Sequence, residues 1–226
     1  MLLPQTLQYL RQLKENNNKA WFDANRVAYE AARIDFSNFI QLLIEDLERQ
    51  DPTIAGTSAR SAIFRINRDI RFSNDKTPYK SHFGASIKRG GRKSGFAGYY
   101  FHLEPGASFI GGGLWMPEAG PLKAVRQEID YNWEEFRGVL TESSFKKIFR
   151  DLHQGEDVSL KTLPKGYERE NPAIAYLRLK SFIAEVTVTD AELTKATLHK
   201  KTKAAFTALQ PLLGFLNRAL GGEGND

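Results

Sequence analysis

Hydrophobic positions recur at helical spacing at both ends of the chain and at strand spacing in its middle. Leu3, Leu7, Leu10 and Leu13 follow one another every three or four residues up to Asn16-Asn17-Asn18, with Pro4 suited to a first helical turn. A long helix is predicted over Ala20 to about Arg49, where Phe22, Tyr29, Ala32, Phe36, Phe39, Ile40, Leu43 and Leu47 form one apolar stripe before Asp51-Pro52 ends it. From Ser61 to Phe72 the period drops to two, with Ala62, Phe64, Ile66, Ile70 and Phe72 on one face and Arg65, Asn67, Asp69 and Arg71 on the other. Arg68 falls on the apolar face. Twelve residues also exceed a usual strand, so a bulge near Asn67-Arg68-Asp69 is expected to turn it outward, the alternative being burial with a partner.

Ser73–Lys80 is turn chemistry, and Phe83, Ala85 and Ile87 predict another strand, followed by a basic glycine-rich connection over Arg89–Gly95. Tyr99, Phe101 and Leu103 alternate into Pro105-Gly106, a type II-like turn, and Phe109–Trp115 returns. Gly111-Gly112-Gly113 in that return marks a bulge or a close approach to the backbone. Helices are predicted around Leu122–Ile129, Trp133–Leu140 and Phe145–Leu152. A strand follows at Phe182–Val188, then a short helix capped by Asp190 and a terminal helix over Lys195–Leu220 kinked at Pro211. Helices at both termini, strands between them and hairpin-length connections predict an α+β fold. Its form is a mainly antiparallel sheet of about five strands with helices packed on one face, in one domain over 1–226 with a frayed tail at 221–226.

Composition removes several classes. At 226 residues with 41% hydrophobic and 12% aromatic content the chain can bury a core unaided, and with no cysteine it has no disulfide framework, thiolate metal site or cysteine nucleophile. The start lacks a basic and then apolar export segment, so the expected compartment is the cytoplasm. Uncharged apolar stretches such as Ala107–Pro117 fall short of the roughly 18 residues of a membrane span, and no membrane partner is expected.

Charge is local. Between Arg60 and Lys93 lie ten Lys/Arg against two acids, Asp69 and Asp75, whereas the rest of the chain carries 22 against 25. This basic patch has the footprint of an anion-binding segment. Arg65, Arg68 and Arg71 lie within seven residues, followed across a turn by Lys76, Tyr79 and Lys80. Guanidinium forks suit bidentate recognition of phosphate, and Asp69 and Asp75 would orient the cations or act as acid–base carboxylates. A solvated basic face is the competing account, since exposed like charges about 7 Å apart repel by only about 0.6 kcal/mol. Gly90–Gly95 reads as a loop closing over an anion or as a plain hairpin tip. Tyr99 and Phe101 are read as core, and Tyr100, on the opposite parity, as the exposed ring.

No phosphate loop of the GxxxxGK[ST] type and no GxSxG elbow occurs. The four histidines, His82, His102, His153 and His199, form no HxxxH or HExxH pair, so spacing predicts no metal site. His82 and His102 can meet across adjacent strands with Glu104 nearby, and are read as strand histidines satisfied by neighbours. Lys161–Tyr167 reads as a rigid loop bringing Lys165 and Tyr167 to the rim of the sheet.

Over nearly its whole length the chain resembles a family catalogued only as domain of unknown function 2461. The resemblance is carried by Asn16-Asn17 with Trp21-Phe22, the run Arg65–Lys80, Gly98-Tyr99-Tyr100, Gly111-Gly112-Gly113-Leu114-Trp115 and Leu163-Pro164-Lys165-Gly166-Tyr167. Family members commonly carry Asp-His-Pro after the last of these. Here it is Glu170-Asn171-Pro172, so the resemblance implies no catalytic histidine at that place. It implies one domain and an α+β fold, and it brings no activity, cofactor or catalytic residue. Three functions stand open: binding or turnover of an anionic phosphate-bearing small molecule at Arg65, Arg68, Arg71, Lys76, Tyr79, Lys80 and Tyr100; nucleic-acid binding by the same basic face; and protein interaction without chemistry.

Overall fold

The computed structural model describes residues 1–221, and of the tail expected to fray over 221–226 all but Gly221 lies outside them. In chain order the helices are α1 (Pro4–Glu15), α2 (Lys19–Ala24), α3 (Arg26–Glu48), α4 (Ala59–Ala62), α5 (Ala119–Tyr131), α6 (Trp133–Thr141), α7 (Ser143–Phe149), α8 (Ile174–Leu177), α9 (Asp190–Leu193) and α10 (Leu198–Leu220). The strands β1 (Phe83–Ile87), β2 (Gly98–Leu103), β3 (Ser108–Leu114) and β4 (Phe182–Val188) form one antiparallel sheet in the order β1-β2-β3-β4. The class is therefore α+β, helical at both ends, and the described residues hold four strands rather than about five.

The missing strand is the one expected over Ser61–Phe72. Ser58 and Ser61 exchange hydrogen bonds as a capping box, so α4 occupies the start of that stretch. Beyond it only two isolated bridges form, Ile63 with Ala85 and Asn67 with Tyr79, and they are two residues out of register with each other. No continuous ladder can join them. The alternation fails accordingly: Ala62 and Ile66 are buried, while Phe64 and Phe72 are exposed. Nor does Arg68 turn outward at a bulge; it stays partly covered and paired.

By contacts the chain forms two compact units. The first comprises Met1–Ile87, Tyr100–Ile110 and Thr187–Ala204. Here the helix expected over Ala20–Arg49 is broken at Asn25, whose side-chain amide donates to Trp21 O at 2.9 Å and competes with the helical ladder. Asn18 caps α2 by accepting from the Trp21 N–H. The stripe of α3 buries Ala32, Phe36, Phe39, Ile40, Leu43, Ile44 and Leu47. Phe36 lies on Phe83 and Phe101 with centroids 5.3 and 6.2 Å away, and Phe39 meets Phe101 edge-on at 5.1 Å. Each such ring contributes on the order of 1.5–3 kcal/mol by burial. The hairpin turn is as expected: Ala107 N–H donates to Glu104 O at 2.9 Å, and Gly106 takes φ 80°.

The second unit comprises Lys88–Tyr99, Gly111–Val186 and the described residues from Ala205 onward. Tyr99 packs on Phe206 of α10, which runs through Pro211 without interruption. The glycine triplet is a close approach, as its composition suggests. A Cβ on Gly111 would lie 2.6 Å from Ala184 O, one on Gly112 2.7 Å from Gly98 O, and one on Gly113 2.0 Å from Phe182 O. Neighbouring strands occupy the space that side chains would need.

Candidate functional site

Residues 63–80 form an arm beside β1, and its base is anchored by the first helices. Tyr79 is buried and stacks on Phe22 at 4.0 Å. Asn17 grips the Tyr79 backbone on both sides, donating to its carbonyl at 2.8 Å and accepting from its N–H at 3.1 Å. Tyr79, expected among the ligand-binding side chains, is thus a packing residue. One residue of each of the Asn16-Asn17 and Trp21-Phe22 motifs, Asn17 and Phe22, thus holds the arm.

The cations of the arm have local commitments. The Arg68 guanidinium, 24% exposed, bonds the Asp75 carboxylate, the Thr77 hydroxyl and, at 3.4 Å, Ser73 Oγ. Asp75 also accepts from the Thr77 N–H and hydroxyl at 2.9 and 2.8 Å; these bonds and the Arg68 charge hold its carboxyl down at about 2. Arg71 bonds Asp69 with two nitrogens, at 2.9 and 2.7 Å, and this pairing, helped by Arg65, depresses Asp69. Lys76 Nζ donates to Ile70 O at 3.0 Å. Three of the five expected ligand cations therefore tie the arm's own turn. Arg65 is exposed, and Lys80 Nζ stands over the Phe64 ring at 5.3 Å.

Lys80 leads to the sheet face opposite Phe83, Phe101 and Leu103. Strand periodicity brings Tyr100, His102 and Glu104, the last one residue past β2, onto this face. Tyr100 Oη lies 3.1 Å from His102 Nδ1, and His102 Nε2 lies 3.2 Å from Glu104 Oε2. Lys14 Nζ reaches Glu104 Oε1 at 3.4 Å. From β3, Phe109 lies flat on the His102 imidazole, centroids 4.8 Å apart. His82, one residue before β1, brings its ring to 4.4 Å from that of His102. Tyr100 also contacts Phe109 at 5.6 Å and Phe64 at 6.4 Å.

Partial burial sets the chemistry of this group. Burial, then the neighbouring His102, pushes His82 down to about 4. Tyr100, read from its parity as the exposed ring, is partly buried instead, and burial raises its hydroxyl to about 12. Burial alone would raise Glu104, but hydrogen bonds from His102 and Lys14 hold it below the ordinary range. A neutral imidazole, a hydrogen-bonded Tyr–His–Glu chain and a carboxylate thus share one place, and the ligand atoms of His82, His102 and Glu104 all lie within 4.8 Å of one another. Histidine spacing offers no metal-ligand motif here, because His82 and His102 stand twenty residues apart on separate strand segments, but their meeting across adjacent strands with Glu104 nearby is the one read from the sequence. The readable signal was the period-two series Tyr100, His102, Glu104.

The glycine-rich connection of the second unit closes on itself: Lys88 Nζ donates to Ser94 O at 2.8 Å, Ser94 Oγ to Arg89 O at 2.5 Å, and Arg89 lies over Phe96. At the start of the Lys161–Tyr167 loop, the Lys161 carbonyl and that of Leu160 just before it accept from Arg178.

Fold and site together describe an α+β protein with an aromatic, histidine-bearing face on a four-stranded antiparallel sheet. The chain belongs to the family described as "Conserved hypothetical protein (DUF2461)", whose model matches residues 5–215. The comparison with curated proteins and that with solved structures each find no match. Among the described residues no helix is long and apolar enough to cross a membrane.

Proposed function

We propose that the protein binds a small phosphate-bearing ligand against this aromatic face of its sheet, a planar part of the ligand on the rings and its phosphate beside Lys80. One observation carries the reading: an unbroken series of ring contacts leads from Lys80 through Phe64, Tyr100, Phe109 and His102 to His82. An aromatic floor with an ammonium at one end suits a flat anion, because stacking contributes about 1–3 kcal/mol per ring and lysine binds phosphate as a point charge. Arg65 is the second cation in this reading. Arg68, Arg71 and Lys76, oriented by Asp75 and Asp69, shape the arm that carries Lys80. The Tyr100–His102–Glu104 chain is placed for proton transfer, so turnover belongs to the same reading.

The test is a thermal-shift screen of nucleotides, phosphosugars and short oligonucleotides against wild type, Lys80→Ala and Arg68→Ala. A compound present at 100 times its Kd stabilises by about 2.7 kcal/mol. Lys80→Ala should abolish that shift. If no phosphate compound moves wild type, the reading fails.

A second reading, nucleic-acid binding, is favoured by Phe72. Its ring is 95% exposed at the arm's turn, with the Arg71 guanidinium 5.7 Å from its centroid. Exposed rings beside arginine are the platforms on which single strands stack. This reading expects oligonucleotide affinity that falls with salt at a log–log slope near −0.7 per phosphate contacted, and that Phe72→Ala removes.

A further inference from the structure

We infer that His82, His102 and Glu104 form a binding site for one divalent transition-metal ion of the zinc, cobalt or nickel class. The inference shares this face with the ligand reading above but does not depend on it, since it rests on the donor atoms and on the groups that hold them.

Two donors sharing one such ion, each at about 2.0–2.2 Å, stand about 3 to 3.5 Å apart. His102 Nε2 and Glu104 Oε2 are 3.2 Å apart, so this edge of a coordination polyhedron already has its final length. His82 supplies a third donor: one ligand atom from each of the three residues lies within 4.8 Å of the other two, wider than a bound ion requires, so binding would draw His82 inward. Two imidazoles and one carboxylate are the donors that borderline ions prefer, whereas magnesium and calcium take oxygen-rich sets. Three protein ligands leave at least one coordination position open, the arrangement of zinc sites that bind water or substrate.

The surroundings hold His102 as outer partners hold a metal-bound imidazole. Phe109 lies parallel to the ring, within 12°, and fixes its plane. Tyr100 Oη, at 3.1 Å, engages the nitrogen that would not meet the ion. Without an ion, Glu104 accepts from Nε2–H, and Nδ1 accepts from the Tyr100 hydroxyl. With an ion on Nε2, that proton resides on Nδ1 and is donated to Tyr100 Oη. A hydroxyl serves both states because it donates or accepts as required. Tyr100 is thus a positioning residue, not a ligand. Lys14 engages the other carboxylate oxygen, Oε1, and leaves Oε2 to the ion. With 63% of its side chain exposed, its charge is largely screened by water.

The experiment titrates chelator-treated full-length protein with cobalt(II), reading the visible d–d absorption, and with zinc(II) by calorimetry. Wild type should take up one equivalent of either ion. His82→Ala, His102→Ala and the nearly isosteric Glu104→Gln should weaken binding about 100-fold or more, and Tyr100→Phe about 10- to 100-fold with the cobalt spectrum shifted but present. Circular dichroism and urea midpoints verify that each variant is folded, and Glu104→Gln carries the test if a histidine variant is not. The inference is overturned if folded wild type binds neither ion. It is equally overturned if Glu104→Gln and His82→Ala bind as wild type does, which would place the ion at His153 or His199, paired with Asp157 and Asp46 respectively.

Discussion

Gly84 lies directly beneath the Tyr100 hydroxyl: a Cβ at Gly84 would stand 2.5 Å from Oη. The absence of a side chain on β1 is what lets the phenol on β2 reach His102. Gly84→Ala should therefore push the hydroxyl off His102 Nδ1 and destabilise the protein by about 1 kcal/mol, the net worth of such a bond. In a Tyr100→Phe background the same substitution should cost less, because the contacted oxygen is gone. A double-mutant cycle in urea reads the coupling, and strictly additive changes would contradict the contact.

The Arg68–Asp75 pair closes the arm from inside. Asp75→Asn and Arg68→Ala should both open the 68–78 turn, seen as faster amide exchange at Arg68 and Thr77 and faster proteolysis after the exposed Phe72, with the rest of the chain unchanged. Equal exchange rates in wild type and both variants would mean the pair does not hold the turn.

Glu192 links two helices of the first unit. It accepts from the Thr189 N–H and hydroxyl at 2.9 Å and from Lys201 Nζ at 2.7 Å, and the lysine bond foremost holds its carboxyl down at about 2. Because the folded value lies below the ordinary one near 4.5, the stabilisation is fully present above pH ~4.5 and lost as pH falls toward about 2. Both partners are about a third exposed, so solvent screening limits the effect to about 1 kcal/mol. Glu192→Gln should lose that amount at pH 7 and show a shallower decline between pH 4.5 and 2 in denaturation curves taken across that range.

Two glycines should answer oppositely to alanine. Gly113 has φ 128°, and a Cβ there would meet Phe182 O at 2.0 Å, so Gly113→Ala should cost more than about 3 kcal/mol or leave the protein insoluble. Gly138 lies within α6 with nothing inside 4 Å of its added Cβ, so Gly138→Ala should stabilise by about 0.5–1 kcal/mol. Thermal melts of the two variants decide both.

Where local pattern and tertiary packing agreed, the chain was readable. The Tyr99–Leu103 hairpin, its Pro105-Gly106 turn, α5, α6 and β4 follow from period and turn chemistry alone. Ser61–Phe72 was not, because its alternation is genuine but Ser58 caps a helical turn at its start and the two later bridges do not share a register. Likewise, α2 and α3 share one apolar stripe, and the break between them falls at Asn25, whose backbone leaves helical dihedrals (φ −107°, ψ 23°) as its amide turns back to Trp21.

By itself the sequence determined the α+β class, the absence of thiol chemistry, the concentration of charge in one segment and the side of β2 on which Tyr100, His102 and Glu104 stand. Those properties are local, set by composition and by the two-residue period of a strand. Tertiary structure alone decided that Arg68, Arg71 and Lys76 bind within their own turn while Lys80 extends over Phe64, and it turned the meeting of His82 with His102, which the sequence only allowed, into a contact of 4.4 Å. Strand pairing chooses which distant residues become neighbours, and no residue carries that choice in its own spacing.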